Sequence, residues 1–234
     1  EARATCLRSH PPSRHHRDDL PATPATVSPG THPPMPSASR PHAPHIPAAE
    51  RREQFVRSAM QAFAERGYAG VQLADLAADV GVSKNLIHHY FPGGKDELYL
   101  AAVRLGCADL EGLLDVSDTL PLDRRTSANL DVYLDEIFTP SPAWILYVRA
   151  QHSADPQVRA TAEHLRETLA RGVARNQLGT DEPDGHTLVT IIGLLSFAEA
   201  TADRWRDLRP PDRGRLERLL TDVLDAALAS LEAS

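Results

Sequence analysis

Cysteine is scarce in this sequence: there are two in 234 residues, Cys6 and Cys107, far apart in the chain. That excludes a disulfide framework and any Cys/His zinc spacing, and it suits a reducing compartment. Long apolar runs are missing too. The most apolar stretch, Leu188–Ala198, is about half of the roughly 20 residues that span a bilayer. The N-terminus has no apolar signal-peptide core, so the expected location is the cytoplasm, with no membrane partner. The chain lacks G-x-S-x-G, a P-loop and H-E-x-x-H, and its histidines and carboxylates fall on separate segments without an assignable set of catalytic roles. The expectation is therefore no enzyme, no cofactor and no bound metal. A positive net charge is also absent, the formal total being −7.

The charge is uneven. Residues 1–49 hold five basic and three acidic side chains, residues 50–106 seven of each, and residues 107–234 thirteen and twenty-two. The acidity thus belongs to the C-terminal part, which phosphate would repel. A neutral N-terminal part can still meet DNA through a few cations and backbone donors. Residues 1–47 read as a disordered tail: residues 1–49 contain 11 of the 19 prolines and 6 of the 11 histidines and almost no large apolar residue, too little to offset chain entropy. His15, His16, His32, His42 and His45 read as solvated, and Arg3, Arg8, Arg14 and Arg17 offer weak nonspecific DNA affinity. The chain starts at Glu1 and Met35 lies just ahead of the helical part, which raises the question whether residues 1–34 are translated.

The chain is organised around Val71–Phe91, VQLADLAADVGVSKNLIHHYF. Leu73, Leu76, Ala77 and Val80 fall at i, i+3, i+4 and i+7, one face of a helix. Gly81 follows at a position suited to a left-handed helix end. Ser83 suits an N-cap whose hydroxyl accepts from the next turn, and Leu86, Ile87 and Tyr90 point inward from a second helix. Two helices with such a turn form a helix-turn-helix, and its second helix fits the DNA major groove. The same spacing is open to a packed helical hairpin with no DNA role. Upstream, Phe55, Ala59 and Phe63, with Val56 and Met60, stripe a helix from about Ala48 to Arg66 that Gly67 ends.

With FAERGY (Phe63–Tyr68) before it and HHYFPGGKDEL (His88–Leu98) after it, the stretch closely resembles the N-terminal domain of the TetR family of one-component transcriptional regulators. The match runs from about Arg51 to Arg104. Beyond it the resemblance is one of size and helical character. The family's reading helix commonly looks like S-K-G-T-L-Y-H-Y-F, against Ser83-Lys84-Asn85-Leu86-Ile87-His88-His89-Tyr90-Phe91 here. The resemblance implies DNA contact by Gln72, Ser83, Lys84, Asn85, Leu86, His88, His89 and Tyr90, with Lys95 as a phosphate clamp. Chemically, the histidines can donate to phosphate or guanine and Asn85 can pair with adenine. Three departures stand out. Val71 and Gln72 replace the usual capping threonines, Ala74 stands where a basic residue is common, and Leu86 replaces a small or polar residue and could meet a thymine methyl.

Pro92-Gly93-Gly94 breaks the chain, and a long helix then starts at Lys95, which the resemblance makes the lever between effector and DNA. Proline breaks divide the remainder into helices near 122–138, 141–153, 156–178, 186–207 and 211–232. The last two are apolar enough to be core, while the resemblance implies half of a four-helix homodimer interface (186–207 and 211–232). Tyr133, Phe138, Trp144, Tyr147 and Trp205, with His152 and the polar Arg149 and Gln151, are candidate pocket residues for a small-molecule effector. The expected architecture is all-α: residues 48–95 a three-helix DNA-binding domain with the helix-turn-helix, and 96–234 a larger helical ligand-binding and dimerisation domain. The expected function is a ligand-responsive transcriptional regulator, a repressor that binds a palindromic operator as a dimer and is released by a small molecule. The alternative is a helical interaction protein that uses the helix-turn-helix for packing only.

Overall fold

A computed structural model describes residues 47–115, 120–208 and 212–232. Among these residues all regular structure is helical: α1 (Ala48–Gly70), α2 (Leu73–Asp79), α3 (Lys84–Tyr90), α4 (Gly94–Asp115), α5 (Leu122–Phe138), α6 (Pro142–Gln151), α7 (Pro156–Leu178), α8 (Gly185–Arg206) and α9 (Arg213–Glu232). The tail expectation, with Cys6 and the six N-terminal histidines, lies outside the described residues apart from Pro47.

The helix ends follow local chemistry. Pro142 and Pro156 begin α6 and α7 at a position where the missing N–H would have no partner anyway. Ser141 Oγ accepts from Trp144 N at 3.1 Å, Asp155 Oδ1 from Gln157 N at 2.8 Å, and Asp184 Oδ1 from Thr187 N at 2.8 Å. Gly67 interrupts α1 rather than ending it. Its φ of 70° is left-handed, and the chain makes one more turn to Gly70 before Val71 is drawn into the core.

The apolar stripe of α1 buries Phe55, Val56, Ala59, Ala62 and Phe63. Phe63 is fully enclosed and stacks on Tyr68 at 6.1 Å and edge-on to Tyr99 at 4.9 Å. Helix α4 buries Leu98, Ala102, Val103, Cys107 and Leu110 along one face and packs against α1, α6 and α7. Gly106 allows α6 to come close, since a Cβ there would lie 3.2 Å from Ala143 Cα. One continuous apolar core therefore runs from the first helices through α4 into α6 and α7, across the boundary expected after residue 95. Burial, and then the Glu111 charge, pushes the Cys107 thiol up to about 12, so it stays protonated at neutral pH.

Gly185–Trp205 of α8 is 21 residues with mean hydropathy 1.2, so among the described residues it is the one segment that by length and composition alone could cross a bilayer. The apolar run Leu188–Ala198 is flanked by His186 on one side and by Glu199, Asp203 and Arg204 on the other, so it stays short of the roughly 20 apolar residues of a span. Glu199 holds α8 in the helical body through its ion pair with Arg166 of α7.

Candidate nucleic-acid interface and internal cavity

The turn between α2 and α3 is a Schellman closure. Gly81 N donates to Ala78 O at 3.0 Å and Val82 N to Ala77 O at 2.8 Å, with Gly81 at φ 73°. Val82 then packs on the core behind the turn. Ser83 takes the N-cap position of α3, but its hydroxyl makes no capping bond. The expected cap is thus made by backbone geometry alone, and the Ser83 side chain is left exposed. Gln72 likewise starts α2 without a side-chain cap and is exposed.

Helix α3 has two faces. Ile87 is fully buried and Phe91 closes the C-terminal end under it. On the opposite side Lys84, Asn85, His88 and His89 are exposed together. Leu86 and Tyr90 lie between, half-buried against the core, Tyr90 with its ring 5.6 Å from Phe55. Lys95 is half-buried, its ammonium 4.4 Å above the Tyr68 ring. The Tyr68 hydroxyl donates to Asp96, and that hydrogen bond, followed by burial, pushes its pKa up to about 12. The four exposed side chains and Lys95 supply hydrogen-bond donors and cationic charge without any carboxylate on α3, which is the chemistry that meets phosphate and base edges.

The second region is tied to the first by Arg149 of α6. Its guanidinium donates to Phe63 O at 2.6 Å and Ala64 O at 3.0 Å, one turn before the Gly67 break. Arg149 was expected among pocket groups; it instead fastens α6 to α1. Replacing it by Met keeps most of the stem and removes both bonds. The expected result is a loss of about 1.5–3 kcal/mol, the range for hydrogen bonds to charged groups, read from chemical denaturation.

A cavity of about 240 Å³ lies among α4, α5, α7, α8 and α9. Its wall is mostly aliphatic, with Leu130, Val173, Ile191, Leu195 and Leu224, and carries Asn129, Thr168, Asn176 and Gln177 as polar groups and Glu111 and Arg175 as charged ones. Of the expected pocket residues only Tyr133 lines it. Trp144 and Tyr147 are buried core, Trp144 lying 5.5 Å from Tyr133 and 5.6 Å from Tyr147. Phe138 packs half-buried on the same core. His152 is exposed at the end of α6, and the Trp205 indole donates to Asp212 O at 3.0 Å. Gln151 hydrogen-bonds Arg166. The aliphatic wall escaped sequence reading because its residues come from five helices and look locally like ordinary core.

Helix α8 leaves one stripe uncovered: Val189, Gly193, Phe197, Ala200 and Arg204 are exposed at successive turns. Val189 is 71% and Phe197 41% exposed.

Residues 55–102 match the family model for bacterial regulatory proteins, tetR family, and residues 122–226 that for a tetracyclin repressor-like C-terminal domain. The chain is 30% identical over 176 residues to the HTH-type transcriptional regulator BetI of Brucella canis, which covers 61% of this chain and 87% of that one. It is 34% identical over 129 residues to the protein of the same name from Brucella anthropi, covering 51% of this chain and 65% of that relative, just under two thirds of its length. A solved tetR-family transcriptional regulator from Streptomyces coelicolor superposes with a TM-score of 0.66 at 26% identity, over 80% of this chain and 84% of that one.

Proposed function

The chain belongs to the TetR family of bacterial regulatory proteins, and we propose that it works as a homodimeric repressor, gripping a palindromic operator with α3 and releasing it when a small molecule enters the second region. The observation that carries the DNA-binding part is the division of α3. Ile87 anchors the helix at 0% exposure while Lys84, Asn85, His88 and His89 stand free on its outer side. A helix held this way can enter a major groove without disturbing its own packing. Residues 48–95 act as the reader and 96–234 as the effector and dimer region. Helix α4, through which the one continuous core passes from α1 to α6 and α7, carries the coupling, and the Arg149 link to α1 adds a second mechanical connection.

The dimer reading rests on α8. An exposed apolar stripe of this length is unusual on a monomer surface, and a two-fold dimer places two readers about 34–36 Å apart, one turn of DNA. Effector release requires a coupling free energy of ~1–3 kcal/mol between the sites, a factor of about 5–150 in operator affinity.

A gel shift on DNA upstream of the protein's own gene, at two salt concentrations, tests the reading. Lys84→Ala is expected to weaken binding about equally on all sequences and to lower the salt slope by roughly 1, whereas His88→Ala and Asn85→Ala cost ~1–3 kcal/mol on the operator and relax its sequence preference. Unchanged affinity in all three variants would favour the interaction-protein alternative.

A further inference from the structure

Among the described residues, three buried side-chain polar atoms have no hydrogen-bond partner: the Tyr133 hydroxyl on α5, the Gln151 amide nitrogen on α6 and Arg166 Nε on α7. They belong to one cluster. Arg166 Nη2 donates to Gln151 Oε1 and also to Glu199 Oε2, the latter at 2.5 Å. Glu199 Oε1 in turn accepts from the Tyr147 hydroxyl at 3.0 Å. Tyr133 packs edge-on to Trp144, which contacts Tyr147, and its hydroxyl lies within the fields of Glu199, Tyr147 and Arg166.

The unmet groups agree in kind. A buried phenol, which burial keeps protonated, an amide NH₂ and a guanidinium N–H are all donors, and each needs an acceptor. The single carboxylate of the cluster is engaged on both oxygens. Buried donors in native proteins almost always find partners, and of these three only the Tyr133 hydroxyl belongs to a residue that lines the cavity, so it is the one left for an acceptor from outside the chain. Tyr133 connects the cluster to the rest of the molecule, because its ring also lines the 240 Å³ cavity, whose wall is otherwise dominated by Leu, Ile and Val.

Charge narrows the acceptor. Arg166 is already balanced by Glu199. A ligand carboxylate would add a further negative charge where Glu111 already lines the cavity and both nearby arginines are paired, Arg166 with Glu199 and Arg175 with Asp181, at a desolvation cost that a neutral acceptor avoids. A carbonyl oxygen satisfies the Tyr133 hydroxyl without that cost. The cavity lies just below the ~300–1,000 Å³ of drug-sized sites, which favours a slender molecule.

We propose that this cavity takes a slender, uncharged, mostly apolar molecule ending in a carbonyl-type acceptor, received by the Tyr133 hydroxyl with Gln151 and Arg166 behind it in the same polar cluster. The proposal rests on the effector-responsive reading above and names its ligand class.

Trp144 beside Tyr133 provides the readout. Nonan-2-one, nonane and nonanoate are titrated into the full chain and followed by intrinsic fluorescence. Nonan-2-one is expected to bind about tenfold tighter than nonane, the alkane having no acceptor to offer, and tighter than nonanoate. Tyr133→Phe is expected to abolish the ketone preference while leaving the melting temperature unchanged or raised, since its hydroxyl has no bond to lose. Equal binding of ketone and alkane, tighter binding of nonanoate, an undiminished preference in Tyr133→Phe, or no binding of any probe would each overturn the proposal. A gel shift on the same preparation without probe separates the two readings: a specific DNA complex leaves the regulator standing when the ligand assignment falls.

Discussion

Aspartates at Val189 and Ala200 together are expected to leave the protein folded but monomeric, and to weaken operator binding by about 10²–10⁴-fold. Both positions are exposed on α8, three turns apart on the same uncovered stripe. In the monomer each new carboxylate is solvated, so the fold should change by less than about 0.5 kcal/mol. In a dimer the four aspartates of two chains would face each other across an apolar seam, where desolvation and like-charge repulsion add. Once the pair separates, each reader binds its half-site alone and loses the high effective concentration that linkage provides. Sedimentation velocity gives the oligomeric state, and a gel shift gives the affinity. A variant that stays dimeric would place the interface elsewhere. A monomer that binds the operator as tightly as the unmodified protein would instead show that dimerisation contributes nothing to recognition.

Phe63→Ala should be the most damaging single truncation, costing about 3–5 kcal/mol and lowering the melting temperature by roughly 6–20 °C. Phe63 has no solvent exposure and lies between Tyr68 and Tyr99, so its ring joins the end of α1 to α4. Its carbonyl also receives Arg149. The cavity left by the ring would sit among elements that position the reader, and collapse around it would move the α1 terminus against α6. Specific DNA binding should therefore fade at lower temperature than in the unmodified chain. A loss below about 1 kcal/mol would mean that the neighbouring aromatics close the gap, and that Phe63 does not set the angle between the two regions.

The sequence carried the reader almost completely. Val71–Phe91 writes its own structure, because an apolar period of 3.6, a glycine where left-handed φ is needed and an inward Ile87 are all local instructions. The two families of side chain on α3 separate by that period alone. Proline breaks likewise made α5 to α9 legible to within a few residues. The second region was less legible in its chemistry. Its aromatics were the visible candidates for a ligand, yet Trp144 and Tyr147 fill the core, while the wall is built of leucines, isoleucines and valines that carry no distinguishing local signal.

By itself, then, the sequence determined where each helix runs and, in α1 to α3, which face turns inward, since both depend on neighbours three or four residues away. Only tertiary structure decided what meets across the fold. Arg149 reaches Phe63 over 86 positions of chain. Arg166 finds Glu199 over 33, and Tyr133 is left beside them with a donor and nothing to give it to. Such pairings follow from how helices stack against one another, and stacking is set by the sum of many small apolar contacts rather than by any motif. The bare stripe on α8 has the same origin: its residues could equally have been core, and only the packing of α5, α7 and α9 left them uncovered.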